Sequence, residues 1–109
     1  MNKYILAVAS NPVAGREDEY NDWYTNRHLG DVLKVPGFQS AQRFRIAQDD
    51  SSAQWKYLAI YEFESDDPAA TLANLTARAG TPDMVLSDAM DMQAYSVVPW
   101  VAITDELQK

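Results

Sequence analysis

The stretch Tyr20 to Phe44 reads YNDWYTNRHLGDVLKVPGFQSAQRF, and its two halves carry different periodicities. Glu17, Asp18 and Glu19 just before it place negative charge where a helix amino terminus favours it, so a helix is expected from Glu17 to Val35. At about 100° per residue, Tyr20, Trp23, Tyr24, Arg27, His28, Asp31 and Val32 share one broad side, while Asp18, Asp22 and Thr25 lie away from it. Pro36 and Gly37 stop that helix. From Phe38 to Ile46 the period drops to two: Phe38, Ser40, Gln42, Phe44 and Ile46 alternate with Gln39, Ala41, Arg43 and Arg45, which predicts a strand.

Upstream, the apolar run Tyr4 to Ala9 predicts a first strand, closed by a turn at Asn11, Pro12 and Gly15. The run is too short to span a membrane and lacks a signal-peptide layout, so no membrane partner is expected. Downstream, Asp49 to Ser52 is a polar turn, and Trp55 to Glu64 is a third strand with Tyr57, Ala59, Tyr61 and Phe63 on one face. Asp67 and Pro68 supply an N-cap and a first-turn proline for a second helix ending at Gly80. Residues 81–90 are expected to hold a short extra turn of helix, and Asp91 to Ile103 a last strand in which Pro99 limits pairing. The order is βαββαβ. The predicted architecture is α+β and ferredoxin-like, a four-stranded antiparallel sheet in a single domain spanning residues 1–109.

Two helices cover one face of such a sheet. Ile5, Leu58, Ile60, Val97 and Val101 put apolar groups on the phase opposite to Leu6, Val8, Ala59, Phe63 and Val98, so a partner sheet is expected over the second face, in a homodimer. With 16 acidic against 9 basic residues, a net charge of −7, and no basic cluster, a nucleic-acid partner is not expected. The chain has no cysteine and one histidine, which disfavours a metal site and fits a reducing, cytoplasmic setting. It also lacks G-x-G-x-x-G and P-loop motifs, so no cofactor is expected.

Trp23, Tyr24, Asn26, Arg27, His28, Pro36, Gly37, Phe38, Arg43 and Phe44 together give an aromatic pair, an N-x-H element, P-G-F and a basic strand. This segment resembles the EthD-like branch of the dimeric α/β barrel superfamily. The resemblance implies the dimeric barrel fold and a pocket. It leaves the reaction open, because the superfamily holds accessory proteins of ether degradation, cyclases, isomerases, decarboxylases and monooxygenases.

His28 admits two roles: an imidazole kept neutral by burial and acting as a general base, or a hydrogen-bonded core residue. The resemblance tips the balance toward the first. Tyr24 and Tyr61 are the expected hydroxyl donors, and Arg43 is the expected stabiliser of a carboxylate or enolate. Tyr20, Trp23 and Trp100 are expected to line a flat pocket, and Asp31, one helical turn beyond His28, to orient the imidazole. The expected function is cofactor-independent proton-transfer chemistry, of cyclase, isomerase or decarboxylase type, on a small aromatic or polyketide-like substrate. The alternatives are a non-catalytic accessory or ligand-binding protein and a monooxygenase, the last with His28 as an axial haem ligand or beside an oxygen-reactive quinol.

Overall fold

A computed structural model describes residues 2–48 and 51–109, so the predicted turn at Asp49–Ser52 lies in part outside the described residues. Four strands, β1 (Asn2–Pro12), β2 (Phe38–Arg45), β3 (Tyr57–Ser65) and β4 (Met90–Val101), form one antiparallel sheet in the order β2-β3-β1-β4. The two helical segments between them complete the predicted βαββαβ order. The second, α3 (Pro68–Arg78), starts as its sequence dictates: Asp67 accepts from the Ala70 amide and Pro68 occupies the first turn. Gly80 follows its end at φ +83°, a conformation that suits glycine.

The first helix is not uniform. It runs as α1 (Glu17–Trp23), a π-helical turn (Tyr24–His28) and α2 (Leu29–Leu33). No proline or glycine marks the π turn. It changes which side chains meet. Five residues apart on an α-helix, Trp23 and His28 would point about 140° away from each other. Through the π turn they stack instead, ring centroids 4.6 Å apart at 25°.

Register fixes what faces the helices. Rows such as Ala41–Tyr61–Leu6–Pro99 and Arg43–Ala59–Val8–Val97 cross the sheet on the helix side. Phe38 joins this side because a bulge between Phe38 and Ser40 shifts the alternation by one residue, contrary to the uninterrupted phase expected for β2. The core is strongly aromatic, with Tyr20, Tyr24, Tyr61 and Phe63 almost fully buried and Phe38 packed on Phe63 at 5.0 Å.

Two further expectations are corrected. Val97 and Val101 lie on the helix side, opposite Val8 and Tyr4, while Val98 lies on the other face beside Ala7. The run from Val97 to Val101 is apolar on both phases, so its alternation carries no facing information and only its pairing with β1 decides. Residues 81–90 form turns and no helix, closed locally by bonds such as Gly80 N–H to the Met84 carbonyl.

The open face bears Ile5, Ala7, Leu58, Ile60, Phe44, Val98 and Trp100, with Trp100 59% exposed. Among the described residues no helix is long and apolar enough to cross a membrane.

Candidate functional site

The helix side of the sheet borders a half-open cavity of about 230 Å³ between the π turn, α3, the 81–90 segment and the inner half of β4. Its walls include Trp23, Tyr24, His28, Tyr61, Leu75, Met84, Met90, Met92, Tyr95 and Val97, and no charged side chain is among them apart from the titratable His28. The 81–90 segment is pinned over it from three directions. Trp23 Nε1 donates to the Val85 carbonyl at 2.9 Å, Arg27 donates to the Pro82 carbonyl at 3.3 Å, and Arg16 pairs with Asp88 at 2.6 Å.

His28 is held between aromatic rings, stacked on Trp23 and edge-on to Tyr24 at 5.0 Å. Burial lowers its pKa from 6.5 to about 4, and the nearby Asp31 charge opposes this only in part. The imidazole is therefore neutral at pH 7. Its Nδ1 is buried and makes no hydrogen bond, and the residue lines the cavity.

Beside it, the Tyr61 hydroxyl donates to the Tyr24 hydroxyl across a long 3.5 Å contact. Burial raises the pKa of both phenols, that of Tyr24 to about 12, so both stay protonated. A contact of that length lies at the outer limit of a hydrogen bond, and both residues line the cavity.

Of the residues expected at the site, His28, Tyr24, Tyr61 and Trp23 come together around this cavity. Four do not. Tyr20 is a core residue whose hydroxyl shares a 2.6 Å hydrogen bond with Ser10. Asp31, 5% exposed, accepts from Arg27 Nε at 2.8 Å and makes no bond to the imidazole, so it acts on His28 only through its charge. Trp100 sits in the row Ser40–Glu62–Ile5–Trp100 on the opposite face, because its phase in β4 is set by pairing with Ile5. Arg43 lies behind Tyr24, its guanidinium 4.6 Å from that ring's centroid and outside the cavity wall.

The structure adds Met84, Met90, Met92, Tyr95, Leu75 and Thr76 to the wall. A phase assignment of β4 from its partner strand would have found Tyr95 and Val97. The methionines carry no positional signal, since they enter from turns and a strand end.

A four-stranded antiparallel sheet with two helical segments on one face, bordering an apolar cavity, defines a ferredoxin-like α+β protein. Residues 3–78 match the family described as Domain of unknown function (DUF4286), and the chain belongs to that family. It is 36% identical over 66 residues to Core atranone cluster (CAC) protein 1 of Stachybotrys chlorohalonatus, covering 61% of this chain but only 26% of that protein's length. Among solved structures, it is similar to the heme-degrader MhuD of Mycobacterium tuberculosis with two hemes bound in its active site (TM-score 0.62, 21% identity, 94% and 98% of the two chains). It is also similar to an ethyl tert-butyl ether D (EthD) family protein of Bacillus halodurans (0.51, 14%, 98% and 100%). A third is a dimeric ferredoxin-like protein of unknown function from Jannaschia sp. CCS1 (0.57, 15%, 89% and 96%). The ferredoxin-like fold implied by the resemblance of residues 20–44 is borne out.

Proposed function

We propose that the chain pairs through its open sheet face and handles a small, uncharged organic molecule in the His28 cavity by cofactor-independent proton transfer. The observation that carries this is a neutral, largely buried imidazole beside two protonated phenols in an apolar cavity without fixed charge. The dimeric structural relative and the apolar open face support the pairing. The relative named for the atranone cluster supports a role among small organic molecules.

A carbonyl compound with an acidic C–H suits the geometry. The tyrosine pair donates to the carbonyl oxygen while His28 accepts the proton from carbon. The C–H electron pair moves into the C–C bond and the carbonyl π pair onto oxygen. The imidazolium, disfavoured by burial by about 3 kcal/mol relative to an exposed histidine, then returns the proton to a second carbon, completing an isomerisation, or to the alkoxide oxygen formed when the enolate carbon bonds to a second carbonyl carbon of the same molecule, completing a cyclisation.

The lining does not fit haem: no lysine or arginine is among it to meet two propionates.

A binding-only role has one observation in its favour. If the imidazole proton sits on Nε2, the unpaired atom is an Nδ1 lone pair, which is better tolerated in the interior than an orphaned N–H, and His28 then donates to a ligand. The chain has a single histidine, so a long-range ¹H–¹⁵N spectrum reports its tautomer without ambiguity. The proton-transfer role predicts a proton on Nδ1 once a ligand is bound, and deuterium exchange into uncharged lactones or diketones that His28→Gln abolishes. An Nε2–H tautomer throughout, with exchange unchanged in the variant, leaves binding as the function.

A further inference from the structure

Across the Tyr24 ring from the His28 cavity lies a second depression of about 560 Å³, lined by Asn21, Thr25, Arg43, Arg45, Tyr57 and the strand end at 44–47. Its charged lining is two arginines and no carboxylate, in a chain whose acidic residues outnumber basic ones 16 to 9. A cation in so acidic a protein ordinarily finds a carboxylate. Neither Arg43 nor Arg45 forms an ion pair among the described residues, although both belong to the helix-side face of β2. Glu17, whose charge reaches Arg45, is itself taken by Lys56 at 2.8 Å and by the Tyr57 hydroxyl.

Arg43 is pre-oriented. Its guanidinium rests over Tyr20, Tyr24 and Tyr57 with centroid distances of 5.4, 4.6 and 5.3 Å. One Nη1–H donates to Thr25 Oγ1 at 2.8 Å and one Nη2–H to Asn21 Oδ1 at 2.9 Å, with a weaker Nη1 contact to the Asn21 carbonyl at 3.5 Å. A guanidinium has five N–H donors, and besides these bonds that of Arg43 also interacts with the Tyr20 hydroxyl, so it meets only neutral oxygens and no carboxylate among the described residues. A planar cation held this way remains a receptor for a carboxylate or phosphate. Asn21 Nδ2 is also fixed, donating to Tyr57 Oη at 3.1 Å, so the polar frame around the arginine is rigid.

We propose that this groove is a second ligand site that takes the anionic group of a small molecule, a carboxylate or a phosphate, on Arg43 with Arg45 at its rim. It is separate from the His28 cavity, whose wall carries no arginine, and does not depend on the chemistry assigned there.

The test is a titration of the full-length protein with benzoate and, separately, inorganic phosphate, followed by amide and arginine Nε–H resonances. Saturable shifts confined to Asn21, Thr25, Arg43 and Tyr57 support the proposal. Saturation by benzoate alone identifies a carboxylate ligand, and by phosphate alone a phosphorylated one. Arg45→Gln, an exposed change that spares the aromatic stack, should weaken binding several-fold. Arg43→Lys, which keeps the charge but loses the fork, should weaken it roughly tenfold. Shifts that fail to saturate with either anion, or affinities unchanged in both variants, overturn it.

Discussion

The sharpest consequence of the buried imidazole is a proton-linked stability that one substitution removes. In the unfolded chain His28 titrates near 6.5, whereas in the native state it titrates near 4, because burial penalises the charged form. Between those values the unfolded state binds the extra proton, so stability falls as pH falls, and this loss is absent above 6.5. Integrating the linkage from about pH 7.5 to about pH 5 gives a loss of about 2 kcal/mol from this one residue. His28→Gln keeps comparable bulk and does not titrate. Urea unfolding of both proteins at matched concentration, across that pH range, should therefore give curves that converge by about 2 kcal/mol as pH drops, the variant being the less pH-sensitive. Carboxylates contribute equally to both and cancel. Parallel curves would show that His28 is as accessible to protons in the native state as in the unfolded one, and would remove the basis for a neutral imidazole in the cavity.

Gly37 sits at φ +98°, and a Cβ there would lie 2.9 Å from the Glu64 carbonyl oxygen, so Gly37→Ala should cost more than about 2 kcal/mol in chemical denaturation. Asp67→Ala removes the α3 cap and should cost about 1 kcal/mol by the same assay. Tyr61→Phe deletes the hydroxyl that donates to Tyr24. It should leave the fold intact while lowering ligand affinity or proton exchange about tenfold, measured by calorimetry and deuterium incorporation. Trp100→Glu places a charge on the open face, on its edge strand β4, and should convert a dimer to a monomer by light scattering; an unchanged mass would direct the search for the interface elsewhere.

The order of elements was legible because each boundary has a local cause: Pro36-Gly37 ends the first helix, Asp67-Pro68 begins α3, and Gly80 closes it. The inward side of the first helix was legible in part: Tyr20, Tyr24, Asp31 and Val32 are buried, but Arg27 is half exposed and Thr25, expected to lie away, accepts from Arg43 of the sheet. What escaped is set by non-local pairing. The bulge after Phe38 is visible only against β3, and the facing of Val97 and Val98 only against β1. The cavity suffered accordingly, losing Trp100 to the far face and gaining Tyr95. The alternation of β2 put Arg43 and Arg45 on one phase without saying which face it is, and which side of the Tyr24 ring Arg43 occupies depends on bonds to Asn21 and Thr25 that no spacing announces.

The π turn lets the first helix carry one residue more than ordinary α winding without turning either half away from the sheet. Removing one residue between Thr25 and Arg27 would restore ordinary α winding, leave Trp23 and His28 four apart and still on one side, and keep both the aromatic cluster around Tyr20 and the buried Asp31–Val32 pair against the sheet. A relative lacking that residue can keep the same stack, so comparisons across the family should align the two halves of this helix independently, with a gap permitted at residues 24–28.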